Sequence, residues 1–229
     1  MGVTTEPGRI VIVGAGEQAE LAYEYFTLDS PHDVECFSVE AEFMDRDTLK
    51  GLPIVPFEEL STRCPPDRYG AFVAISSSKL NRVRARLYRA VKELGFECVS
   101  YVSSRAFVWH NVVVGENSFV FENNVLQYHV RIGDNVILWS GNHVGHRTTI
   151  GDHCFVSSHV VISGFCEVGS GSYLGVNSSV NDRLRIGKDC VIGAGAVVIR
   201  DTEERGVYVG NPAKPTGRDS FAAFGVDGD

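Results

Sequence analysis

The side chains best suited to chemistry lie in the second half of the chain. His143, His146, His153 and His159 fall within seventeen residues, and imidazoles, which titrate near neutrality, serve both as proton acceptors and as metal ligands. The first half offers a different set. Gly14-Ala15-Gly16 with Ala19 follows a short aliphatic run, as in turns whose backbone N–H groups and following helix receive phosphate oxygens. Glu40 follows the second expected strand, where a carboxylate can accept from a ribose, and Ser76-Ser77-Ser78 follows a later one. Lys214 closes a Gly210-Asn211-Pro212-Ala213-Lys214 segment near the C-terminus. The six cysteines form no CxxC pair, and their wide spacing suits buried thiols better than a zinc cage or a disulfide framework.

Two kinds of scaffold must position these groups. From Arg9 to about Tyr101, strands alternate with helices: Arg9–Val13, then a helix carrying Leu21, Ala22, Tyr25 and Phe26, with further strands at Val34–Phe37, Ala71–Ile75 and Glu97–Val102. A helix over Leu80–Leu94 places Val83, Leu87, Val91 and Leu94 on one face. Residues 1–101 therefore read as a small α/β, Rossmann-like parallel sheet.

Beyond it the pattern changes. From Val102 to Val198 every sixth residue is Val, Ile or Leu, seventeen in a row, and Gly follows eight of them. A six-residue period fits a short strand plus a corner, with the aliphatic residue and the small residue two before it on the inner face. Three such edges make a coil of eighteen residues with no inserted loop. Residues i and i+18 then stack about 4.8 Å apart, which lines up His110, Tyr128, His146 and Gly164 along one edge. Residues 102–215 form this unit with its cap. Residues 216–229 show no pattern and are expected to be a disordered tail.

Composition narrows the partners. With 21 Lys and Arg against 29 Asp and Glu, a net charge of -8 argues against a nucleic-acid partner. The longest aliphatic run near the N-terminus, Ile10–Val13, is far too short for a membrane span, and no signal-peptide core precedes it. A cytoplasmic protein without a membrane span is expected.

The repeats, the Val13-Gly14-Ala15-Gly16 turn, the Gly51-Leu52-Pro53-Ile54-Val55 segment and the closing Tyr208–Lys214 stretch resemble the hexapeptide-repeat acetyltransferases of bacteria that modify nucleotide-linked amino sugars. The resemblance runs from Arg9 to about Pro215. It implies a left-handed parallel β-helix, a homotrimer, acetyl-CoA as cosubstrate, no metal, and a nucleotide-linked amino sugar as acceptor. It also implies His146 as general base and Gly164 as backbone donor to the thioester carbonyl. Lys214 would meet the CoA tail, and Gly14, Gly16, Glu40 and Ser76 the nucleotide sugar. Where the family usually follows the histidine with an acidic residue, this chain has Arg147, which would disfavour a nearby imidazolium. His143 and His159 are the alternative bases. Transfer to a sugar hydroxyl, a metal hydrolase of the γ-carbonic-anhydrase type and an inert nucleotide-sugar-binding scaffold remain competing readings.

Overall fold

The computed structural model describes residues 8–226. Its first half is a sheet in the order β3-β4-β2-β1-β5, built from β1 (Arg9–Val13), β2 (Asp33–Val39), β3 (Thr48–Leu49), β4 (Leu52–Pro56) and β5 (Gly70–Val73). All pairings are parallel except the short β3 against β4. Helix α1 (Glu17–Asp29) buries Ala19, Ala22 and Phe26 on one side. On the other side α3 (Arg82–Glu93) buries Leu87, Tyr88 and Val91, while α2 (Leu60–Arg63) contributes Leu60.

Three expectations are corrected. Glu97–Val102 is not a strand of this sheet: one bridge joins Ala71 to Cys98, and Tyr101–Val102 already pairs with Phe119–Val120 of the coil. Helix α3 begins at Arg82 rather than Leu80, because Lys79, Leu80 and Asn81 all have positive φ and wind a left-handed turn before it. The segment after 215 is ordered as far as it is described. Lys214–Asp219 pairs antiparallel with Gly206–Val209, and α4 (Ser220–Phe224) follows, N-capped by Asp219. The last three residues of the expected tail, 227–229, lie outside the described residues.

The second half is a left-handed parallel β-helix of two-residue strands. Each strand pairs with those eighteen residues away, as in Val125–Leu126 with His143–Val144 and then Val161–Ile162. One residue of each strand points in. Val120, Leu126, Leu138, Val144, Val156, Ile162 and Leu174 form a continuous core column. The residue two before the aliphatic one is often a buried Ser, Thr or Cys, as at Ser118, Thr148, Cys154, Cys166, Ser172 and Cys190, for a reason periodicity alone does not reveal. Its hydroxyl or thiol donates to the turn carbonyl of the next coil, as Thr148 does to Ser163, Cys154 to Gly169 and Cys190 to Glu203. All six cysteines are free and buried.

The outward residues divide the prism into three unlike faces. On the third, Tyr101, Phe119, Ile137 and Phe155 are buried against the N-terminal sheet and α1, and Tyr173 packs on Phe224 of α4. The second carries exposed Arg131, Thr149, Glu167 and Arg185. The first carries Phe107, Val125, His143, Val161, Ser179 and Val197, and within one chain it leaves Phe107 52% and Val161 45% exposed. Beyond Val198 the strand Gly206–Val209 stacks on Val191–Ile192, which covers the end of the coil.

The register makes a testable contrast. Ile162→Ala should destabilise by roughly 2–5 kcal/mol, the usual range for truncating a core aliphatic residue, and Arg131→Ala on the solvated face should stay within about 0.5 kcal/mol of wild type. Urea unfolding followed by circular dichroism reads both.

Candidate functional site

His146 sits in the turn that leaves the first face. Its backbone N–H donates to Gln127 Oε1 at 3.0 Å. Its ring leans toward the next coil and lies on Gly164, where a Cβ would meet imidazole atoms at 2.7–3.1 Å, and it meets Phe165 edge-on at 5.0 Å. Gly164 thus leaves the room that the imidazole occupies. The Gly164 backbone is also oriented. Ser163 turns its carbonyl inward to the buried Thr148 hydroxyl at 2.8 Å, and in a planar trans peptide the Gly164 N–H must then point the opposite way, to the outer edge. Gly145, whose Cβ would fall within 2.6 Å of the Gly164 nitrogen, lets this peptide pack closely.

Arg147, the residue that departs from the resembled pattern, turns the other way. Its guanidinium lies over the Tyr128 ring of the preceding coil at 5.3 Å, whereas His146 leans toward the following one. The remaining histidines are not gathered with His146. His143 stands on the first face between Val125 and Val161. His159 occupies the turn that enters that face, with its ring over Gly141. His153 is in the turn that leaves the second face, where its Nδ1 pairs with the Asn135 amide at 2.9 Å and burial lowers its pKa.

The edge continues to the cap. The turns of His146 and Arg200 are three coils apart, about 14 Å at the strand spacing. There Ala213 N–H donates to the Val197 carbonyl, so Gly210–Lys214 lies over the end of the first face. Lys214, Arg200 and Arg218 line a groove of about 790 Å³ together with Asp201, Glu203 and an Arg205–Asp219 ion pair at 2.9 Å.

A second concavity, about 540 Å³, opens at the C-terminal ends of β1 and β2 and is lined by Gly14, Gly16, Ser38, Glu40, Phe43, Ser78 and Arg86 among others. This is where ligands bind parallel α/β sheets. Gly14 has φ +129°, and a Cβ there would lie 2.8 Å from the Ala74 carbonyl, so its first role is to let β1 turn against β5. Gly16 is open, with nothing within 4 Å of an added Cβ. Glu40 is held by a bidentate pair to Arg86 at 2.7 and 2.8 Å, and that guanidinium keeps its carboxyl below the usual range. Ser76 does not line the cleft; its carbonyl accepts from Arg84 at 2.7 Å, and Ser78 lines the wall instead. Two features had no signal in the sequence pattern. Ser38 is fully buried beneath the cleft, and its hydroxyl has no hydrogen-bond partner among the described residues. Phe43, 61% exposed, offers a ring at the mouth on which a base can stack.

A family model, bacterial transferase hexapeptide (six repeats), matches residues 129–164. No curated protein matches the chain by sequence. Among solved structures, a histidine variant of perosamine N-acetyltransferase from Caulobacter crescentus, in complex with CoA and GDP-perosamine, is 28% identical with a TM-score of 0.83, covering 95% of this chain and all of that one. The acetyltransferase domain of PglB from Neisseria gonorrhoeae, in complex with acetyl coenzyme A, is 23% identical with a TM-score of 0.81, over 92% of this chain and all of that one. WeeI from Acinetobacter baumannii is 22% identical with a TM-score of 0.77, over 90% of this chain and 99% of that one. These last two speak for the fold.

The two cleft glycines differ in consequence. Gly14→Ala should lose about 1–3 kcal/mol from its backbone angle alone, lowering Tm by several degrees, whereas Gly16→Ala, at an ordinary extended φ of -91°, should leave Tm unchanged. Thermal unfolding distinguishes them.

Proposed function

We infer that the chain is a hexapeptide-repeat sugar acetyltransferase, which moves the acetyl group of acetyl-CoA to the amine of a nucleotide-linked amino sugar. The observation that carries this is the full-length likeness to the Caulobacter enzyme, which includes both the cleft-bearing sheet and the coil. The nucleotide occupies the cleft of the N-terminal sheet. There Gly16 and the start of α1 receive phosphate oxygens, Glu40 faces the ribose, and Phe43 stacks on the base. The Gly14 backbone shapes the turn.

The acetyl group is handled at the His146 edge. CoA lies along the edge, its phosphorylated end at the groove of Lys214 and its thioester near Gly164, a path of about three coil spacings. The neutral amine attacks the thioester carbon, and the outward Gly164 N–H donates to the developing oxyanion. His146 takes the proton that the nitrogen sheds as the C–N bond forms. Collapse of the tetrahedral intermediate breaks the C–S bond, and the proton passes to the leaving sulfur. No acyl-enzyme is required, and the buried cysteines take no part. With its guanidinium over Tyr128, Arg147 does not supply the orienting contact an acidic residue would; Gly164 and Phe165 hold the ring by shape instead.

The active assembly is a homotrimer, which we place on the first face. The third face is already covered and the second is charged, which leaves the first face, with exposed Phe107 and Val161 beside His143 and Ser179, to be buried by two further copies. Such an arrangement encloses the exposed His146 edge with a second wall. The reaction belongs to the cytoplasm, where acetyl-CoA and nucleotide sugars are at hand; among the described residues no helix is long and apolar enough to cross a membrane.

Two outcomes follow. His146→Ala should lower kcat about 100- to 10,000-fold with the KM for acetyl-CoA within a few-fold, and the acidic limb of the kcat profile should change on the same sugar to the titration of the acceptor amine alone. A variant that keeps its rate and its limb would remove His146 from the base role. Val161→Arg should convert the trimer to monomers in sedimentation and abolish transfer, although the monomer keeps its circular dichroism.

A further inference from the structure

Arg84 is fully buried, and its guanidinium makes every one of its observed hydrogen bonds to an uncharged oxygen. Toward the N-terminal sheet it donates to the carbonyls of Ile75 and Ser76, at 3.4 and 2.7 Å, and to Asn81 Oδ1 at 3.4 Å. Toward the coil it donates to the carbonyls of Asn135, His153 and Cys154, at 3.3, 3.1 and 3.1 Å. A buried cation without a carboxylate is costly, and an apolar residue would usually fill such a space at less expense; the desolvation pulls its pKa down to about 9.

The surroundings show what the cation joins. The turns that leave the second face place Asn117, Asn135, His153, Gly171 and Asp189 in one column, each with positive φ. Every member is tied, directly or through Arg84, to residues 73–88, which run from the end of β5 into α3. Asn117 pairs with both backbone groups of Val73 at 2.7 and 3.3 Å, Asn81 donates to the Gly171 carbonyl at 3.0 Å, and Arg82 pairs with Asp189 at 2.6 Å. Arg84 serves the second and third rungs, Asn135 and His153. It also reaches the cleft wall, since Ile75, whose carbonyl it holds, lines the cleft, and Ser76, its nearest acceptor, lies between Ile75 and the lining Ser78. The His153 rung is in the same coil as His146, one two-residue strand further on.

We propose that Arg84 is a positioning residue for the acceptor, locking the Ile75–Ser78 wall of the nucleotide cleft to the coil that carries His146 and so fixing where the sugar amine is delivered. This rests on the acetyltransfer reading above. The left-handed turn at Lys79–Asn81 is the strained link that the lock holds closed. Because misplacement by about 1 Å can cost on the order of 100-fold in rate, the lock acts on transfer to the nucleotide-linked sugar and leaves acetyl-CoA handling alone.

The test uses the full chain and two variants, Arg84→Met and Arg84→Lys. Transfer is compared between the nucleotide-linked amino sugar and a free amino monosaccharide, which cannot engage the cleft. GDP binding is measured by calorimetry. Arg84→Met should lose about 10-fold or more in kcat/KM for the nucleotide-linked sugar, weaken GDP by a similar factor, and keep both the KM for acetyl-CoA and the free-sugar rate within twofold. Arg84→Lys, which keeps the charge and reaches fewer carbonyls, should fall between Met and wild type, and it carries the test alone if the Met variant does not fold. Equal loss with both acceptors would make Arg84 merely structural and overturn the proposal, as would a Lys variant indistinguishable from wild type. Absence of transfer by wild type would instead contradict the acetyltransfer reading, with the GDP arm still judging Arg84; a wild-type cleft that binds no GDP overturns the proposal too.

Discussion

Everything in this molecule hangs on the stacking of residue i over residue i+18. Parallel pairing at that spacing runs unbroken from Tyr101 to Val198, so a side chain placed in one coil meets a known neighbour above and below. The core column is one consequence, the His146 ring over Gly164 another. A third is the column of left-handed residues along each edge. A non-glycine residue there costs roughly 1–2 kcal/mol, least for Asn and Asp. The edge facing the N-terminal half uses Asn117, Asn135, His153, Gly171 and Asp189, whereas the His146 edge uses His129, Arg147, Phe165 and Arg183. The bulkier choices are put to use on the site edge: Phe165 meets the imidazole, Arg183 covers Phe165 at 4.6 Å, and Arg147 covers Tyr128.

The joint between the two halves combines two physical devices. Toward the first coils it is aromatic, with Phe26, Tyr101, Phe119 and Phe121 in edge and tilted contacts within 4.6–6.0 Å, which buries much apolar area without demanding a fixed angle. Along the turns it is polar, and hydrogen bonds to individual carbonyls do set an angle. The aromatic patch supplies adhesion and the polar ladder supplies register. The C-terminal helix adds to the polar side: Phe221 lies between the Arg82 and Arg205 guanidinium groups, at 4.7 and 4.2 Å. The end of the chain is thereby tied to the start of α3.

The coil was legible because its inner residues recur at a constant interval, and a constant interval is arithmetic: stacking His146 on Gly164 needs nothing else. The Rossmann-like sheet was legible in outline, since β1 is an aliphatic run and β2 and β5 carry short apolar stretches, Cys36–Phe37 and Ala71–Val73. β4 was hidden by Pro53 and Pro56, which speak against a strand. Arg84 was hidden for a related reason. On α3 an arginine beside Val83 reads as part of the solvated face, yet the buried face is Arg84, Ala85, Leu87, Tyr88 and Val91, turned by the left-handed entry at Lys79–Asn81. The unpartnered hydroxyl of Ser38 and the pairing of Glu40 with Arg86 depend on tertiary approach, which no local pattern encodes. The strand Lys214–Asp219 has no apolar alternation because it covers the coil through backbone pairing with Gly206–Val209, while its side chains stay exposed.

The central claim is that acetyl passes from CoA to the nitrogen of a sugar held by its nucleotide. Incubation of the protein with acetyl-CoA labelled with carbon-13 at the carbonyl, together with GDP-perosamine and other nucleotide-linked amino sugars, tests it directly when the products are read by mass spectrometry and NMR. The account predicts one nucleotide-linked product heavier by a single acetyl group, its labelled carbon coupled to an amide N–H and resistant to hydroxylamine, with one free CoA thiol released per product. An ester-linked acetyl group cleaved by hydroxylamine, or a panel in which no sugar gains the label, would contradict it.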